Sequence, residues 1–93
     1  MNFVITTVCE GAKIEYFVAH ILDIDSETNE VIIDYLDQHS QHQNVFFKTD
    51  KLKWNHYAVP VKNICMKLPV PEECRRGNKY FFHKRINLRN IKL

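Results

Sequence analysis

Glycine is scarce in this chain, with Gly11 and Gly77 its only two. So few glycines leave no phosphate-cradling loop of the kind nucleotide-using enzymes build from backbone N–H groups. Cysteine is scarce as well: Cys9, Cys65 and Cys74 cannot all pair within one chain, and none belongs to a CxxC. A disulfide scaffold is a poor reading of that pattern, and a reducing, intracellular compartment is the expectation. No apolar run approaches the roughly 20 residues that cross a bilayer, so no membrane partner is expected. The opening Met1-Asn-Phe-Val-Ile-Thr-Thr-Val8 is mildly apolar but lacks a basic leader and soon meets Glu10 and Lys13, which argues against a secretory signal.

What is present is enough for one compact core. Apolar residues make up 45% and aromatics 12% of 93 residues, a composition that closes a small domain without cross-links and argues against disorder. Net charge is only +2, but residues 1–59 carry four Lys/Arg against nine Asp/Glu, whereas residues 60–93 carry nine against two. An acidic first part and a basic last part either face one another or give the molecule a basic surface for nucleic acid.

β-Branched and aromatic residues cluster in short runs between turn residues, and no long segment keeps a period of 3.6, so the chain reads as all-β. Strands are expected over 3–8, 13–24, 31–35, 45–47 and 65–68. In the second, Phe17, Ala19 and Ile21 share one face and Val18, His20 and Leu22 the other, which predicts a bent strand covered on both sides. Asp25-Ser-Glu-Thr-Asn29 joins strands two and three as a hairpin. Residues 38–44, rich in His and Gln, are expected as a surface loop. Residues 50–57 read as an irregular, aromatic-anchored excursion, and Pro60 precedes a single helical turn at 61–64. Pro69 and Pro71 end the last strand. In the basic segment from Lys79, Ile86 and Leu88 alternate with Arg85, Asn87 and Arg89, a period of two that suits an edge strand or an arm; a helix over 80–93 is the alternative.

The order of these runs carries a resemblance. Tyr16-Phe-Val-Ala-His-Ile-Leu-Asp-Ile-Asp25 followed by Val31-Ile-Ile-Asp-Tyr-Leu-Asp37, a loop, a short strand and a final strand resembles a Tudor domain over residues 3–68. Asp50-x3-Trp54, Ile64-Cys-Met-Lys-Leu68, Pro69-Val-Pro71, Arg75 and Arg76, and Tyr80-Phe-Phe82 also resemble a domain near the C-terminus of many transposable-element-encoded proteins. Both resemblances imply a five-stranded SH3-like (Tudor-type) barrel at 1–71 with an extended basic C-terminal segment at 72–93, and a nuclear, chromatin or transposon-related setting. Tudor domains that read methylated side chains surround a methylammonium with aromatic faces. Phe17 and Tyr35 fall at two such cage positions; the other two fall near Val8 or Cys9 and near Gln38, which are not aromatic.

Other residues invite chemistry less well. His39 and His42 could approach in their loop, but no nearby cysteine completes a tetrahedral zinc site, and eight residues separate Cys65 from Cys74 and Cys74 from His83. No metal or cofactor is expected. Cys65 reads as core rather than nucleophile, and Asp23, Asp25, Asp34 and Asp37 read as a solvated acidic edge rather than paired acid and base. No enzyme is expected. Trp54 and Tyr57, with Phe46 and Phe47, either frame a peptide groove or cap the barrel.

Two binding readings follow. In the first, the chain is a non-catalytic module that receives a peptide or partner domain, with Phe17, Tyr35, Trp54 and Tyr57 as contacts and self-association open to the C-terminal edge. In the second, Arg75, Arg76, Lys79, Lys84, Arg85 and Arg89 neutralise nucleic-acid phosphates while Tyr80, Phe81 and Phe82 stack on bases. The plain alternative to stacking is that these aromatics fasten the segment to the barrel.

Overall fold

The computed structural model describes residues 2–48, 56–74 and 79–88. They form eight strands: β1 (Phe3–Glu10), β2 (Lys13–Asp25), β3 (Glu30–Gln38), β4 (Val45–Lys48), β5 (His56–Pro60), β6 (Ile64–Leu68), β7 (Glu72–Glu73) and β8 (Lys79–Phe81). A 3₁₀ turn, Val61–Asn63, joins β5 to β6, and no α-helix occurs among the described residues, so none is long and apolar enough to cross a membrane. The all-β expectation therefore stands.

Every pairing is antiparallel, and the order is β6-β1-β2-β3-β4-β8-β7 with β5 on β3. Among the described residues the sheet is not closed into a barrel, and the expected five strands become eight. The difference begins at β3. Its first part, Glu30 to Asp34, pairs with β5, and its last part, Leu36 to Gln38, pairs with β4. Residues 45–47, expected as the fourth of five strands, carry β8 and β7, while His56–Pro60, which overlaps the stretch expected to be irregular up to Tyr57, pairs with the first part of β3 as a strand.

The hairpins follow from local chemistry. Gly11 turns β1 into β2 at φ +60°, a left-handed conformation that costs glycine little. At the β2–β3 turn Asn29 takes φ 55°, and Asp25 Oδ1 accepts from the backbone N–H of Glu27 (3.0 Å) and Thr28 (3.4 Å). The β2–β3 register shifts between Ile21 and Asp23, and the bulge bends β2 as its length requires. The 3₁₀ turn after Pro60, at the expected place, is pinned to β1 because Thr6 and Thr7 hydroxyls both donate to the Asn63 carbonyl (3.1 and 3.3 Å).

Strand alternation divides the apolar residues into two cores. On one face Val4, Ala19, Ile21, Val31, Ile33 and Val59 pack together. On the other, Phe3, Ile5, Val18 and Leu36 meet Phe46, Tyr80, Phe82 and Ile86, brought over by β4, β8 and the chain that follows. Both faces of β2 are consequently covered, as its sequence predicts: Val18, Ala19, His20 and Ile21 are buried in succession. Residues 80–88 belong to this packing through Tyr80, Phe82, Ile86 and Leu88. The alternation of buried Ile86 and half-buried Leu88 with exposed Arg85 and Asn87 fits the extended reading, and residues 79–88 contain no helix. The loop at 39–44 is tied down by His39 N–H to Val45 O (2.8 Å), and Gln38 Nε2 donates to the carbonyls of Gln43 (2.9 Å) and Ile86 (2.8 Å).

Candidate functional site

Three of the four aromatic candidates meet. The β2–β3 register sets Ala19 opposite Tyr35, and the β3–β5 register sets Ile33 opposite Tyr57. Phe17, two residues from Ala19, and Tyr57 are therefore diagonal neighbours of Tyr35 on one face, within reach for large side chains. Ring centroids are 5.6 Å apart for Phe17 and Tyr35 and 5.1 Å for Tyr35 and Tyr57, with interplanar angles of 65° and 53°. The pairs are edge-on or tilted rather than stacked.

Beside them is an open concavity of about 430 Å³, lined by the three aromatics with Val8, Leu36 and Asp37. It lies where the Val4–Ile33 core ends, because beyond Ala19 and Ile33 the same face carries Phe17 and Tyr35. Tyr57 is half exposed and Phe17 and Tyr35 are half-buried, so the rings are rigid yet reachable. Burial, and secondarily Tyr57, raises the Tyr35 phenol above its ordinary pKa of 10, which keeps it neutral. Aromatic rings beside one carboxylate are chemically suited to a cation of modest size that carries apolar substituents. Val8 occupies the side where a fourth ring is absent, and Asp37 was missed as a lining residue because its sequence context marks only a polar strand end. Trp54, the fourth candidate, lies outside the described residues.

Arg75, Arg76 and Arg89 lie outside the described residues, while Lys79, Lys84 and Arg85 are exposed. Of the aromatics among them, Tyr80 and Phe82 are buried in the core, with Phe82 edge-on to Phe3 (5.9 Å) and to Phe46 (5.6 Å); Phe81 is exposed. Tyr80 and Phe82 thus fasten the segment to the sheet. Phe46 is fully buried and Phe47 half-buried, so Phe46 serves the core rather than a groove.

His39 and His42 do come together, with rings 4.9 Å apart, but no group of three potential metal ligands occurs among the described residues. Cys9, Cys65 and Cys74 are free thiols. The acidic edge divides into separate tasks: Asp25 caps its turn, Asp34 meets Lys48 (3.9 Å), and Asp37 faces the concavity. His20, on a strand face expected to be covered, is buried and stacked flat on Phe3 (4.4 Å, 4°), and its Nδ1 has no hydrogen-bond partner among the described residues.

No protein-family model matches the chain, and neither a curated protein nor a solved structure matches it significantly.

Proposed function

We propose that this chain is a non-catalytic peptide-binding module that receives a methylated lysine or arginine side chain in the concavity of Phe17, Tyr35, Tyr57 and Asp37. The observation that carries the reading is the diagonal contact of three aromatic rings across β2, β3 and β5 beside a carboxylate. A methylated cation suits it better than a free ammonium, since methyl groups bury against ring faces while the charge keeps its attraction to them and to Asp37. A peptide on either side of that residue has rigid strands to lie against.

The Tudor-type, SH3-like reading belongs to the same proposal. Its support is the order β6-β1-β2-β3-β5 with a 3₁₀ turn between β5 and β6, which follows the strand sequence of such barrels, with β4, β8 and β7 as an addition on the opposite face. A chromatin or transposable-element setting, and a nuclear location, follow as part of that proposal from the sequence resemblance.

The test is titration of the full chain with fluorescent peptides that differ only in one lysine, unmodified, dimethylated or trimethylated, and a parallel arginine series. Methylated peptides are expected to bind more tightly. Tyr57→Ala, an exposed change, should weaken them by about 2- to 30-fold, the equivalent of a cation–π contact of roughly 0.5–2 kcal/mol. Asp37→Asn should weaken them as well. Equal binding of modified and unmodified peptides, or affinity indifferent to Tyr57, overturns the proposal.

A further inference from the structure

A second cavity lies on the opposite face, where the two layers part. The sheet contributes Ile5, Met66 and Leu68 and the covering segment contributes Phe82 and Ile86, around a slot of about 450 Å³. That volume lies within the range of small-molecule sites, roughly 300–1,000 Å³. Ile5, Leu68, Phe82 and Ile86 are buried and form the floor, while Met66 is 39% exposed at the entrance. Lys84 and Arg85 on the cover line the slot and are themselves exposed, so they stand at its mouth, whereas Lys67, opposite Val4 in the register, directs its side chain to the other face of the sheet. Among the described residues no Asp or Glu lines it, and the nearby Glu72 approaches His83 at 3.9 Å on the exposed side.

We propose that this slot binds a small amphipathic anion: an unbranched alkyl chain in the interlayer space with its carboxylate held by Lys84 and Arg85. Charge complementarity selects the head. Two adjacent cations of the cover line the slot with no lining carboxylate among the described residues to neutralise them, and charge-assisted bonds from them fix an oxyanion there. The dry floor selects the tail, since burial of each CH₂ is favourable by roughly 0.8 kcal/mol. An added peptide strand fits less well. Among the described residues β6 pairs with β1 alone, but Lys67 sits within that edge strand and Pro69 follows it directly, and both features discourage strand addition. The site is independent of the aromatic concavity, which shares no lining residue with it.

The experiment is calorimetric titration of the full chain with decanoate below its micelle-forming concentration, with decanol as the uncharged counterpart. Amide NMR serves to locate the ligand. Saturable binding of one decanoate per chain is expected, about tenfold or more tighter than decanol, with shifts centred on Ile5, Leu68, Phe82 and Ile86. The exposed double change Lys84→Glu with Arg85→Glu should cost about tenfold or more for decanoate and leave decanol unchanged, and Met66→Trp should block both by filling the entrance. Absence of saturable decanoate binding to the unaltered chain, equal affinity for decanoate and decanol, shifts elsewhere, or binding of an acidic apolar peptide in place of decanoate each overturns the proposal.

Discussion

Replacing Phe82 by alanine asks whether the C-terminal segment is part of the folding unit. Phe82 lies just past β8, is 4% exposed, and sets its ring edge-on against Phe3 from β1 and Phe46 from β4. Truncating such a ring removes its transfer free energy and leaves a cavity between the layers, which together cost about 3–5 kcal/mol. A chain of this length has roughly 5–14 kcal/mol of stability in all, so one substitution removes at least about a fifth of it. With a urea dependence of roughly 1–3 kcal/mol per molar, the midpoint should fall by about 2 M. Phe81 is the control, because its ring points the other way and is 38% exposed; Phe81→Ala should stay within about 1 kcal/mol. Urea unfolding followed by far-ultraviolet circular dichroism reads both variants, and a single transition should persist in each. A loss below about 1 kcal/mol for Phe82→Ala, or a first transition assigned to residues 72–88 alone, would refute the view that the cover and the sheet share one core.

Burial, and after it Lys48, lowers the pKa of His20 below its ordinary 6.5, with Asp34 and Glu73 opposing. The unfolded chain is therefore protonated first as pH falls, so this contribution is complete above about pH 6.5 and is lost as pH drops through that value towards the lower folded one. Denaturation at about pH 7.5 and pH 5.5 should show that loss, and His20→Phe should reduce it; an unchanged pH slope in the variant refutes the assignment. Gly11→Ala should destabilise by about 1–2 kcal/mol through its positive φ alone, since no atom lies within 4 Å of the added methyl. Asn29→Gly should be neutral or stabilising by up to about 1 kcal/mol, and thermal melts that show the opposite signs would count against the left-handed assignments at both turns.

The elements legible in the sequence are those fixed by neighbours along the chain. The β1–β2 turn announces itself in Gly11 and the β2–β3 turn in the polar run ending at Asn29, and Pro60 marks the 3₁₀ turn. Phe17 and Tyr35 were legible as partners because their strands form one hairpin. What was hidden depends on pairings between distant segments. Val45 pairs with Phe81 and Ile33 with Tyr57, and nothing in either local pattern states that register. The alternation at 80–82 was present in the sequence, buried then exposed then buried, but three aromatics amid cations also match a stacking surface. His20 shows the same limit: its strand reads as covered on both faces, but nothing in the local pattern says that Phe3 and Tyr80 supply the cover.

A sheet buried on both faces has little room for a site at its centre, where filled packing excludes any ligand. Openings arise where one core stops before the strands do. On one face the aliphatic core of Val4, Ala19 and Ile33 gives way to Phe17, Tyr35 and Tyr57, and the concavity forms at that margin. On the other the cover of Phe82 and Ile86 stops short of Met66, and the slot opens beside β6. The two openings share no lining residue, and their chemistry differs: aromatic rings with a carboxylate at one, an aliphatic floor with Lys84 and Arg85 at the other. A cation suited to the first would be repelled by Lys84 and Arg85, and an anion suited to the second by Asp37, so the two proposed ligands do not compete for one site.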